Sequence, residues 1–226
     1  MGAEAPSPIG KAESIEDLRE VQARVITPYS RPTLERAMEV ITTAIPDLLI
    51  LEPKYFGDDR GFFAELYQLE RYRAAGIEPQ FVQDNLSRSR HNVLRGLHVQ
   101  NPHPQGKLVT VLRGAVLDVA VDVRRGSPMF GKHLAVELSD QNRRQFWIPR
   151  GFAHGFRVLS ESADFLYKCD TLYSPTDELV LKWDDPVLGI DWGTSSPELS
   201  NRDRGGVTLS ELMSRLPDYH QSMRLD

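Results

Sequence analysis

The sequence predicts a mainly β fold, an antiparallel sandwich or barrel with helices only at its periphery. Three observations carry this. Between residues 79 and 183 the chain falls into short β-branched, apolar runs: 79–86, 93–100, 107–123, 133–138, 144–149, 152–159, 164–169 and 179–183. Their spacing of roughly ten residues is that of all-β architectures. Turn signals separate them, such as Arg124-Arg125-Gly126-Ser127-Pro128 and Pro149-Arg150-Gly151. The helices that would alternate with strands in a parallel α/β sheet are missing from the pattern.

The chain opens differently. Met1 to Pro8 is small, Pro-bearing and expected to be disordered. Ser14 can cap a helix reaching about Arg24, with Asp17 at the third position of a capping-box-like start and Leu18 and Val21 as a thin apolar stripe. A second helix is expected over 33–43, with Leu34, Met38 and Ile41 on one face, ended by Pro46. Residues 1–46 are therefore read as a helical extension, a packing element or oligomer arm, and 47–226 as the main domain. From Asp47 the pattern turns to strands, beginning with LLILEP (48–53). Lys107–Val123 holds two Val-rich runs on either side of Arg113-Gly114, the pattern of a β-hairpin. Asp191–Gly206 is rich in Gly, Ser and Pro and reads as loop, and 210–216 as a short terminal helix.

Length and composition bound the function. At 226 residues, the chain is one large domain or a domain with an appendage, long enough to bury a core without disulfide or metal. With 27 Lys and Arg against 32 Asp and Glu, the net charge of −5 lacks the basic footprint of a nucleic-acid binder. The single cysteine, Cys169, permits no intrachain disulfide and suits a reducing compartment. No run approaches the ~20 apolar residues of a membrane span, and no secretory signal is read at the N-terminus. The expected setting is the cytoplasm, with neither nucleic acid nor membrane as partner.

Chemistry concentrates around two histidines. Pro149-x-Gly151-x-x-His154 is a turn feeding a strand that carries His154, and it matches a short motif of the cupin family of small jelly-roll barrels. A cupin metal site draws on an HxH pair and a nearby Glu, whereas here the pair position reads His98-Val99-Gln100 and Lys107 follows. A lysine ammonium repels a divalent cation, and neutral imidazole and carboxylate are what such metals want, so no metal is expected. His98 and Gln100 share a strand face, as would Leu94 and Gly96, while Arg95 needs a bend at Gly96 to join them. A barrel interior carrying His98, Arg95 and Lys107 costs several kcal/mol in desolvation unless an anionic ligand compensates. Arg60, in the turn of YFGDDRGFFAELY (55–67), is suited to bidentate phosphate recognition. Tyr167 lies on a further strand.

The segments FGDDRGFFAE (56–65), FVQDNLSRS (81–89), VLRGLHVQ (93–100), QGKLVTVLRG (105–114), DVAVDVRRGSPMFG (118–131), WIPRGFAHGFRVLS (147–160), FLYK (165–168) and WDDPVLGIDW (183–192) occur in one order. Together they resemble the dTDP-4-dehydrorhamnose 3,5-epimerase family, over about residues 47–205. The resemblance implies a cupin jelly roll without cofactor and a homodimer. The implied substrate is dTDP-4-dehydro-6-deoxyglucose, epimerised at C3 and C5 by proton removal and return from the opposite face. It implies His98 as general base, Asp203 as the carboxylate paired with it, Lys107 beside the enolate oxygen and Tyr167 as the acid across the ring. It further implies Arg60 and Arg95 at the diphosphate or sugar, and Glu65, Gln83 and Asn85 at the nucleotide or sugar. His154 falls in the pocket, Tyr173 on the base, and Glu178 and Arg202 at the nucleotide end. Where the family commonly has DNHS, LHYQ, a Tyr pair and Lys, this chain has Leu86, Val99, Leu172 and Arg202. These differences bear on substrate identity. A C3-only mono-epimerase, a 3,4-ketoisomerase, a non-catalytic sugar-nucleotide-binding module and a metal-dependent cupin are the alternatives.

Overall fold

The computed structural model describes residues 38–222; the helix expected over 14–24 lies outside them. The strands run in chain order as β1 (Met38–Thr42), β2 (Leu49–Pro53), β3 (Tyr55–Asp58), β4 (Gly61–Ala64), β5 (Gln83–Arg90), β6 (Leu94–Gln100) and β7 (Lys107–Arg113). They continue as β8 (Ala115–Asp122), β9 (His133–Ser139), β10 (Gln145–Ile148), β11 (Phe152–Val158), β12 (Ser162–Cys169) and β13 (Glu178–Val180). Short helices α1 (Leu69–Ala74), α2 (Asn201–Arg204) and α3 (Leu209–Leu212) lie outside the sheets. One antiparallel sheet has the order β1-β2-β10-β7-β12-β5 and the other β13-β6-β11-β8-β9, while β3 and β4 form a separate hairpin. This is the jelly-roll architecture expected.

Three apolar clusters explain why these sequences become strands. Between the sheets lie Val109, Val111, Val116, Phe146, Phe152, Phe156 and Phe165. Phe156 and Phe165 stack with centroids 3.9 Å apart, each contributing roughly 1.5–3 kcal/mol by burial. The outer face of β6, β8 and β11 is covered by the C-terminal segment through Leu188, Trp192, Leu209, Leu212 and Leu216. Tyr72 and Ile77, on and after α1, cover Leu51, Leu108 and Trp147 on the other sheet. The central strands are thus covered on both faces, which is why β7, β8 and β10 read as largely apolar runs.

Three expectations change. Met38–Thr42 is not helical but pairs antiparallel with β2, Met38 opposite Pro53 and Thr42 opposite Leu49. A short apolar run satisfies both periods, and the β-branched Val40, Ile41 and Thr42 favour the strand. The run at 79–86 enters a strand only at Gln83. The third concerns 107–123, which is two strands but no hairpin, since β7 and β8 lie in different sheets. Gly114 is the corner between them: its φ is +80° and a Cβ there would lie 2.1 Å from the Ser162 carbonyl oxygen. Local pattern specified two strands and a turn, but not whether the turn folds back or changes sheet.

Candidate active site

Side chains alternate along a strand, and inward positions of both sheets meet in a cavity of about 440 Å³. β7 sends Lys107, Val109 and Val111 inward, so Lys107 is the polar end of a core-facing row. β12 does the same with Phe165 and Tyr167, and β11 with His154 and Phe156. His98 comes from β6 in the opposite sheet to Tyr167, so the two stand on opposing walls. Gln83, Asn85 and Ser87 line the cavity from the edge strand β5, and Tyr173, Glu178, Ser200, Arg202 and Asp203 from the C-terminal segment.

Gly96 makes the β6 contribution possible. Its φ is +119° and a Cβ would sit 2.6 Å from the Gly155 Cα, so only glycine fits. The β6–β11 register slips here, between the His154–His98 and Phe156–Arg95 pairs. The slip changes the phase of the strand. Leu94, expected on the face of His98, instead packs in the outer cluster, and Arg95 joins His98 in lining the cavity. The bend that Arg95 required is present.

His98 Nε2 lies 2.7 Å from Asp203 Oδ1. An ionised carboxylate only accepts, so the contact assigns the proton to Nε2 and leaves the lone pair on Nδ1. Nδ1 lies 3.7 Å from Glu178 Oε1. The Asp203 carboxylate also accepts from Ser200 Oγ at 2.6 Å and from the Gly96 amide at 3.3 Å. Burial pushes the Asp203 pKa up, but the hydrogen bonds from His98, Ser200 and Gly96 outweigh it and hold the carboxyl below its ordinary value. Arg202 pairs with Glu178 and donates to the Tyr173 hydroxyl at 3.2 Å, tying three of the expected nucleotide-end residues together.

The opposite wall is less solvated. Burial pushes the Tyr167 phenol up, so it is a proton donor throughout the neutral range. Burial pushes the Lys107 ammonium down, against the attraction of the Asp118 and Asp170 carboxylates. Its neighbour Cys169 is pushed up to about 11, again mainly by burial, and is therefore a neutral thiol. On the His98 wall itself, His154 Nε2 is 3.0 Å from both oxygens of Asp118; burial nevertheless pushes its pKa down, so its ring is neutral at pH 7.

Arg60 and Glu65 are placed elsewhere. Arg60 projects from the exposed β3–β4 turn and pairs with Asp58 at 2.5 Å, and Glu65 pairs with Arg71. Neither lines the cavity of its own chain. Sequence reasoning missed Asp118 and Ser200. A lone carboxylate in Val-Leu-Asp-Val-Ala-Val was a visible signal for the first, because nothing else explains a charge at an inward position. Among the described residues, no three His, Cys, Asp or Glu side chains are grouped so as to hold a metal ion.

The fold and site define a cupin-type enzyme with an acid–base pocket, a histidine–carboxylate pair on one wall and a phenol on the other. Comparison with known proteins narrows this. The family model for dTDP-4-dehydrorhamnose 3,5-epimerase matches residues 42–211. The Salmonella typhimurium dTDP-4-dehydrorhamnose 3,5-epimerase is 53% identical over 179 residues, 78% of this chain and 98% of that protein. The Pseudomonas aeruginosa protein of the same name is 52% identical, over 77% of this chain and 97% of that one. A solved Legionella pneumophila dTDP-6-deoxy-D-glucose-3,5-epimerase, in complex with dTDP-4-keto-L-rhamnose, is 52% identical with a TM-score of 0.79, covering 80% of this chain and 98% of that one. The chain belongs to the dTDP-4-dehydrorhamnose 3,5-epimerase family, and it is an isomerase-class enzyme.

Proposed function

We propose that this enzyme epimerises dTDP-4-dehydro-6-deoxyglucose at C3 and C5, and that the pocket residues act as the family resemblance implies. The observation that carries the reading is the His98–Asp203 pair facing Tyr167 across a cavity whose other polar walls include Lys107, Arg95 and Arg202. Protons adjacent to a ketone are acidic because the carbanion is an enolate. His98 takes such a proton on Nδ1, and Asp203 stabilises the imidazolium formed. The Lys107 cation offsets the enolate charge. Tyr167 returns a proton from the other wall, which inverts the carbon. Arg95 and Arg202 supply cations for the diphosphate, and Tyr173 a flat face for the base. Gln83, Asn85, His154 and Glu178 complete the contacts.

The reading extends to a homodimer. Phe56, Phe62 and Phe63 on the β3–β4 hairpin are 53%, 65% and 69% exposed, an apolar surface of a kind that marks interfaces. A partner covering this hairpin gives Arg60 and Glu65 a route to a second pocket. Among the described residues no helix is long and apolar enough to cross a membrane, and a lone buried Cys169 fits a cytoplasmic enzyme.

Incubation with dTDP-4-dehydro-6-deoxyglucose in deuterated water, followed by NMR, tests the reading. Deuterium at C3 and C5 with inverted configuration is expected. Deuterium at C3 alone would make it a mono-epimerase, like the 33%-identical 3′-monoepimerase from Streptomyces bikiniensis solved with dTDP-quinovose. A shifted carbonyl would make it a ketoisomerase, and no exchange would overturn catalysis on this sugar.

A further inference from the structure

We infer that Ser200 is a positioning residue for the reaction, holding Asp203 so that one carboxylate oxygen is reserved for His98. The inference rests on the reading of His98 as base. Ser200 caps α2, and its side chain faces Asp203 twice. Ser200 Oγ accepts from the Asp203 backbone N–H at 3.1 Å and donates to Asp203 Oδ2 at 2.6 Å. The other oxygen, Oδ1, takes His98 Nε2 at 2.7 Å and the Gly96 amide at 3.3 Å. The three contacts to the side chain divide the carboxylate: Oδ2 is pinned to its own helix start, and Oδ1 points at the imidazole. Asp203 is 4% exposed, so its charge depends on the few donors that reach it. The cap alone would serve α2 with any Ncap acceptor; the donated hydroxyl proton serves only the Asp203 side chain.

Three variants separate positioning from capping. In Ser200→Ala both the cap and the donor are lost. In Ser200→Gly the helix start is scarcely weakened, because glycine is tolerated at that position, yet the donor is equally absent. In Ser200→Thr the hydroxyl remains. Both Ala and Gly are expected to lower kcat about ten-fold with little change in KM, the effect of losing one charge-assisted hydrogen bond, and Thr to restore it. The inference is overturned if Ser200→Gly turns over like the parent, if kcat falls only in step with thermal stability, or if Ser200→Thr does not restore kcat. Exchange of C3 deuterium by the parent enzyme is measured in the same series; its absence would instead remove the reading of His98 as base.

Discussion

Replacing Asp203 by asparagine tests what the carboxylate contributes, and the surroundings dictate the size of the effect. Oδ1 is approached by two donors, His98 Nε2 and the Gly96 amide, whereas Oδ2 is approached by Ser200 Oγ, a hydroxyl that can also accept. The asparagine amide nitrogen therefore settles at the Oδ2 position, facing Ser200, and its oxygen keeps the contact to His98. The tautomer of His98 is preserved. What is lost is the charge that stabilises the imidazolium, so the hydrogen bond drops from a charge-assisted to a neutral one. A bond to a charged group contributes about 1.5–3 kcal/mol and a neutral one about 0.5–1.5, so the difference of about 1–1.5 kcal/mol gives an expected fall in kcat of about 5- to 13-fold. Initial rates of deuterium incorporation at C3, read by NMR, measure it directly. A loss near ten-thousand-fold, the size seen when a catalytic histidine is forced into the wrong tautomer, would refute the orientation argued from Ser200. A parent-like rate would refute Asp203 as a partner of the base at all.

Other outcomes follow from the same geometry. His98→Asn should abolish incorporation at both carbons in the same NMR assay. Tyr167→Phe should slow epimerisation while leaving some base-catalysed exchange, and the two measured together separate acid from base. Burial raises the Tyr167 phenol, so as pH rises the parent should keep its protonated donor beyond the pKa of a free tyrosine, about 10; a phenolate absorbance change below that value, present in the parent and missing from Tyr167→Phe, contradicts this. Gly96→Ala should cost about 3 kcal/mol from the left-handed φ and the clash with Gly155, seen as a lowered urea midpoint. Finally, Phe63→Asp on the exposed hairpin should yield a monomer by sedimentation, with Arg60 and Glu65 then having no second pocket to enter.

Much of the fold was legible because it is written in local period. The Val-rich runs of β7 and β8, the alternation through Phe165 and Tyr167, and the turn before His154 each announce a strand without reference to anything distant. His98 and Lys107 could be singled out because charged or titratable groups at inward positions conflict with a buried environment, whereas Tyr167 gained its role only through the family resemblance. The errors are as instructive. Met38–Thr42 was ambiguous because five residues fit either period, and only pairing with β2 decided it. Gly114 looked like a hairpin turn because a turn residue declares that the chain bends, not where the next strand finds its partner.

Sequence by itself determined most of the strand segments from 83 onward and the alternation of side chains along them, since these depend on neighbours a few residues away, while the acid–base roles came through the resemblance to a family. Tertiary structure alone decided that the two Val-rich runs belong to different sheets, that a slip at Gly96 turns Arg95 toward His98, and that Asp203, 105 positions further on, meets His98 at 2.7 Å. The physical reason is the same in each case. Sheet partnership, register and a hydrogen bond between distant residues are set by long-range pairing and burial, and those free energies exist only once the chain has closed around its core.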